Sequence, residues 1–199
     1  MTDTGTFSWC GKIYPYLSAT YGTTRMTERA VEVPIALSLL NEAVNVLEIG
    51  AVLPHYLPCW PNPAHTVIDL YEVYPGVVNA DVLTYEPDGY FDLIICISTL
   101  DHLNNAKEVR TAVNNMKSWL RKDGLLFITI PANQPPSVGG GAWLDSLVLD
   151  GVFDMNLTRM DKVSPHNHGW QQVDTHGGGK AYGDPTSFAN TLYLLEWWR

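Results

Sequence analysis

Short apolar runs closed by polar residues organise the middle of the chain. Val44-Asn45-Val46-Leu47-Glu48-Ile49-Gly50 ends in one acid and one glycine. His65-Thr66-Val67-Ile68-Asp69-Leu70 carries an acid near its end, and Phe91-Asp92-Leu93-Ile94-Ile95-Cys96-Ile97 is followed by Ser98-Thr99-Leu100-Asp101-His102. Runs this short and this rich in Val, Ile and Leu predict strands buried on both faces, as in a parallel sheet. Ligands of open α/β sheets bind beyond the carboxyl ends of the strands, so these three polar ends define a candidate site.

Other positions follow the helical period. Val31, Ile35, Leu39 and Leu40 repeat after Thr27, a cap residue, with Glu28 in the first turn. Pro34 should kink this helix or mark its true first turn. A second helix, capped by Asn104 or Asn105, puts Ala106, Val109, Ala112, Val113, Met116, Trp119 and Leu120 on one face and stops at Lys122-Asp123-Gly124. Leu125–Ile130 is the next strand. A short helix is expected over 142–149, a strand over 153–163, a short strand around 170–173 and the last strand over 189–197.

The connections after the first two strands are unusual. Residues 51–64 hold four prolines, and 71–80 is short and turn-like, so neither leaves room for a full crossover helix. A brief strand is expected at Asp81-Val82-Leu83-Thr84. One sheet face is then thinly covered, and exposed apolar area of that size needs a partner. Either residues 1–25, read as an irregular arm, fold over it or a second subunit does; the homodimer is the expectation. Residues 26–199 form one domain.

The chain of 199 residues suits one core. It has no run of about 18 apolar residues that would span a bilayer and no leader-like start, so a cytoplasmic protein without membrane contact is expected. Cys10, Cys59 and Cys96 are dispersed and read as reduced thiols. A formal charge of −9 disfavours nucleic acid as a partner.

Val46-Leu47-Glu48-Ile49-Gly50, Val67-Ile68-Asp69, Asp81-Val82, Phe91-Asp92-Leu93-Ile94, Leu100-Asp101-His102 and Leu120-Arg121-Lys122-Asp123-Gly124-Leu125 occur in this order and spacing. Together they resemble the class I S-adenosylmethionine (SAM) dependent methyltransferases, from about residue 29 to the C-terminus. Small members found among glycan-biosynthesis genes, which share a Pro-rich link after the first strand, are the nearest likeness. The resemblance implies a Rossmann-like, mostly parallel seven-stranded sheet whose last two strands form an antiparallel hairpin. It departs from the family pattern in the first motif: Gly50 remains, while Val52 and Pro54 stand where the family has glycines. Those two residues keep a non-catalytic, methyltransferase-like binding or structural protein as the alternative.

The resemblance implies roles for single residues. Glu48 reaches the amino end of the cofactor's methionine, directly or through water; the plainer role is a salt bridge to Arg29. Asp69 binds the ribose hydroxyls, with Glu72 as substitute, or forms a turn. Asp81 and Val82 lie near the adenine, although Asp81 serves equally well as a cap. Gly50 and Ser98 complete the cofactor set. Asp101 and His102 lie beside the expected methyl donor, where imidazole can act as a general base; ordering of the loop is the commoner role for such a histidine. Trp143, Trp170 and Tyr182 are candidates to roof the site over a small hydroxyl-bearing acceptor such as a sugar, which would be O-methylated without a metal.

Other motifs carry less. His166, His168 and His176 have weak metal spacing. Asn133-Gln134-Pro135-Pro136 and Pro58-Cys59 resemble nucleic-acid methyltransferase motifs but follow the wrong strands. A dinucleotide fingerprint lacks two glycines.

Overall fold

The computed structural model describes residues 5–17, 28–132, 159–166, 169–175 and 191–199. In chain order the elements are β1 (Thr6–Trp9), β2 (Lys12–Pro15), α1 (Arg29–Glu42), β3 (Val46–Ile49), β4 (His65–Asp69), β5 (Val77–Asn79), β6 (Phe91–Ile97), α2 (Ala106–Trp119), β7 (Leu120–Ala132), β8 (Arg159–His166), β9 (Gly169–Thr175) and β10 (Thr191–Trp198). Single 3-10 turns follow β3 at Leu53–His55 and β6 at Leu100–His102.

The main sheet runs β5-β4-β3-β6-β7-β10-β8-β9. Its first five strands are parallel. β10 inserts antiparallel between β7 and β8, and β9 adds an antiparallel outer edge. The described sheet therefore has eight strands where seven were expected. The terminal hairpin is β8–β9, the stretch around Trp170 having become a full strand, and the last strand returns to the interior.

Alternation along the strands builds two cores. Leu47, Ile49, Ile68, Ile94, Cys96, Leu126 and Ile128 face α2 and its buried Val109, Ala112, Val113 and Met116. Asn105 caps α2 by accepting from the N–H groups of Lys107 and Glu108 at 3.0 and 3.1 Å. Val46, Leu93, Ile95, Ile97 and Phe127 face α1 on the other side. α2 ends at Trp119 rather than at Lys122-Asp123-Gly124, which instead sits in a register shift early in β7 between the pairs Phe91–Leu120 and Leu93–Leu125. α1 continues through Pro34. The Thr27 cap, the 142–149 helix and the start of the 153–163 strand lie outside the described residues.

The described part of the N-terminal arm, residues 5–17, is a hairpin rather than irregular. β1 and β2 pair antiparallel through Cys10 and Gly11, whose φ values of 52° and 73° are those of the two-residue turn that matches strand twist. Phe7, Trp9, Tyr14 and Tyr16 are buried in the α1-side core. Trp9 meets Phe127 edge-on with ring centroids 6.0 Å apart. Each such side chain contributes about 1.5–3 kcal/mol by leaving water. Of the two ways to cover the sheet face, the arm and a second subunit, the described residues show the arm packed on the α1 side.

The third parallel strand is β5 at Val77–Asn79, not Asp81–Thr84. Asp81 Oδ1 accepts from Leu83 N–H at 2.8 Å, and its carbonyl accepts from Thr84 and Tyr85, so the segment closes a turn immediately after the strand.

Candidate active site

The parallel strands converge with their carboxyl ends on one side, and the polar ends noted in the sequence meet there. Gly50 follows β3 with φ +82°. A Cβ at this position would lie 2.0 Å from Thr99 Oγ1, so both the backbone conformation and the space demand glycine. Thr99 donates to the carbonyls of Ile97 and Ile49 at 2.8 and 3.2 Å, tying the ends of β3 and β6 together.

Glu48 is fully buried. Its Oε1 accepts from Val52 and Leu53 N–H, both at 2.7 Å. Those are the first donors of the 3-10 turn that replaces the glycine loop, and a carboxylate there offsets the positive end of the turn. Oε2 lies 2.9 Å from Nε2 of buried His65, close but out of line for a hydrogen bond. Arg29 pairs not with Glu48 but with Glu32.

Asp69, at the end of β4, accepts from Tyr71 and Glu72 N–H at 2.8 Å on Oδ1, and from Ala51 N–H at 3.3 Å on Oδ2. It forms the turn and faces the loop after β3. A carboxylate offers about four acceptor positions, so Oδ2 retains capacity for a ligand. Asp81 is half-buried beyond β5, and Val82 is buried beside it, its carbonyl accepting from Asn115 at 3.0 Å.

Ser98 ends β6 with φ +42°, a conformation rare outside glycine. Its N–H is shared by the carbonyl and hydroxyl of Thr129, and its hydroxyl donates to Glu32. In the following turn Asp101 is 13% exposed, and its buried Oδ1 has no hydrogen-bond partner among the described residues. Burial is the largest cause raising the Asp101 carboxyl above its ordinary value of 3.8. His102 is 79% exposed, with Nε2 3.9 Å from Asp101 Oδ2. The two form a loose pair in which the aspartate is the inward group.

Glu32, on α1, joins this side of the sheet without having been singled out in the sequence, and it takes Arg29 as its partner. Glu32 is fully exposed to neither solvent nor the opposite face: it is buried against Ser98 and Thr129. Trp143, Tyr182, His168, His176 and Asn133-Gln134-Pro135-Pro136 lie outside the described residues, as do the side chains of Trp170 and His166. No group of three or more potential metal ligands occurs among the described residues. Cys96 is buried, which pushes its thiol up and leaves it inert at neutral pH. No described helix is long and apolar enough to cross a membrane.

With strand order and site in hand, comparison with known proteins gives a consistent answer. A family model described as a methyltransferase domain matches residues 64–128, the stretch from β4 through β7. The N-methyltransferase NodS from Bradyrhizobium japonicum WM9 is similar in structure, with a TM-score of 0.58 at 19% identity, covering 86% of this chain and 96% of that one. NodS in complex with S-adenosyl-L-homocysteine gives 0.56 at 20% identity, covering 86% and 87%. A possible histamine N-methyltransferase from Thermotoga maritima gives 0.52 at 14% identity, covering 83% and 87%. No curated protein sequence matches. The family match spans about a third of the chain, and the likeness to these solved structures shows that the chain shares their fold.

Proposed function

We propose that this protein is a SAM-dependent methyltransferase acting on a small acceptor, and that the acceptor is a hydroxyl-bearing molecule such as a sugar. The observation that supports the reading is that Gly50, Asp69, Asp81–Val82 and the Ser98–His102 turn all follow the carboxyl ends of neighbouring parallel strands, within a stretch that matches a methyltransferase family model.

The residues present fit the cofactor. Gly50 opens the backbone at the end of β3, and half-buried Asp69 and Asp81 offer carboxylate oxygens at the ends of β4 and β5. A carboxylate accepting ribose hydroxyls gains about 1.5–3 kcal/mol per charged hydrogen bond. Glu48 already spends one oxygen on the loop, so its contribution is chiefly to shape the pocket that Val52 and Pro54 alter. Arg29, whose side chain is a quarter exposed beside the crevice, is the cation available to the carboxylate of the methionine moiety.

When bound, SAM supplies an electrophilic methyl group on sulfonium. The chain's own work is to hold the acceptor in line, exclude water and receive one proton. Asp101 suits that last task better than His102. Its side chain keeps 13% exposure, and burial raises its affinity for a proton above that of an ordinary carboxyl, so it suits the acceptor's proton. His102, open to solvent beside it, can pass the proton outward.

A second reading, an amine acceptor, has a specific observation in its favour: an unpartnered carboxylate oxygen suits an ammonium equally well, and NodS is an N-methyltransferase. The test is a panel of nucleotide sugars, glycosides and amines with labelled SAM, with and without chelator. Transfer to hydroxyls supports the first reading and transfer to amines alone the second. Transfer only to nucleic acid or protein, or a requirement for a divalent ion, contradicts both.

A further inference from the structure

Glu32 is the fully buried acid whose place the sequence did not disclose. It lies on α1 between buried Val31 and Val33, yet its partners are all on other elements or at the helix start. Oε1 accepts the hydroxyl hydrogens of Ser98, at the end of β6, and of Thr129 in β7, the latter at 2.6 Å. Oε2 accepts from Arg29 at 2.7 Å. One carboxylate thus ties α1 to the ends of two neighbouring strands. Placing a carboxylate in the interior costs several kcal/mol unless its lone pairs are satisfied, and here three donors satisfy them.

The position of the clamp gives it meaning. Ser98 is held at φ +42°, and such backbone persists only where its surroundings over-determine it. Its N–H is fixed by Thr129 and its hydroxyl by Glu32, so both of its donors are committed. The next four residues are the turn Thr99–His102, which presents Asp101 and His102. A buried packing role alone would be met by an apolar residue, as at Ile35 one turn later on the same stripe.

We propose that Glu32 is a positioning residue: through Ser98 and Thr129 it fixes the turn that carries Asp101, and so sets the geometry of proton acceptance. This rests on the methyltransferase reading above. Misplacement of a reacting group by about 1 Å can cost on the order of 10²-fold in rate. Glu32→Gln keeps the volume while removing the charge and one acceptor position.

The experiment uses the full chain. Glu32→Gln is expected to stay folded, to lower kcat roughly 100-fold and to change the cofactor KM by less than about 3-fold. Ser98→Ala is expected to cost less, and the double variant no more than Glu32→Gln alone, because both act through one contact. Hydrogen–deuterium exchange should accelerate at the amides of residues 98–103 and not in α2. A folded Glu32→Gln with wild-type kcat overturns the proposal. So does a loss of activity that matches the loss of folded protein, or uniform acceleration of exchange along the chain. If Glu32→Gln unfolds, Glu32→Asp and Thr129→Val carry the same readings, and wild-type rates in both overturn it. If the wild type binds no S-adenosyl-L-homocysteine, the methyltransferase reading fails, and exchange at 98–103 still reports whether the clamp exists.

Discussion

Two carboxylates at neighbouring strand ends have opposite fates. Glu48, in the last half of β3, is fully buried and occupied: two N–H groups of the following loop lie on one oxygen and His65 lies against the other. Asp101, beyond β6, is nearly as buried, yet one oxygen has no hydrogen-bond partner among the described residues, and the His102 imidazole stands 3.9 Å from the other. Position at the end of a parallel strand makes both acids candidates for chemistry. What separates them is whether the local backbone consumes the lone pairs. A 3-10 turn begins right after Glu48 and supplies donors; the turn at Asp101 directs its N–H groups elsewhere.

The comparison is broken most directly at Asp101. Asp101→Asn should lower kcat roughly 10²–10⁴-fold, the range for loss of a positioned base, while leaving stability unchanged or slightly higher because a buried charge is removed. The same substitution tests pH. Burial raises the folded carboxyl above its ordinary 3.8, so its ionised form, and the rate, are lost as pH falls through that raised value. Stability moves the other way: a raised folded value favours folding below the unfolded value, and that contribution is lost as pH rises through the folded one. A rate profile of Asp101→Asn that keeps the wild-type acid limb would assign that limb to another group.

Glu48→Ala should act on folding rather than chemistry. Removing it strands the buried Leu53 N–H and takes one of two acceptors from Val52 N–H, at a cost of about 1–3 kcal/mol, measured by urea unfolding. A fully stable variant with lost cofactor binding would restore Glu48 to the ligand. Asp69→Ala should weaken cofactor binding by about 1.5–3 kcal/mol. His102→Ala should be mildest, under about 10-fold in kcat, because exposed groups are readily replaced by water. A loss as large as that of Asp101→Asn would make the imidazole the base.

The parallel strands and α2 were legible because their patterns are local: β-branched runs closed by acids, and a period near 3.6 behind an Asn cap. Gly50, Asp69 and the Asp101–His102 turn fell where the pattern put them. The N-terminal hairpin was missed because Cys10-Gly11 is a weak form of its turn signal and the aromatic residues flanking it bury against distant Phe127. β5 was misplaced by four to five residues because Asp81 reads as part of a strand but caps a turn. Glu32 was missed because its partners lie 66 and 97 residues away. One signal was available: an acid in phase with Ile35 and Leu39 on an apolar stripe is costly unless paired. Why Glu48 serves the loop could not be read at all, since it depends on which way the backbone turns after Gly50.

The proposed cofactor site at the strand ends must bind SAM with Val52 and Pro54 where glycine would let the backbone approach closely. Isothermal calorimetry of S-adenosyl-L-homocysteine with the purified full chain tests this most directly. The account predicts saturable binding with one site per chain, weakened by Asp69→Ala and unchanged by His102→Ala. No heat of binding at millimolar ligand, from protein shown to be folded, would contradict it and leave a methyltransferase fold without the methyl donor.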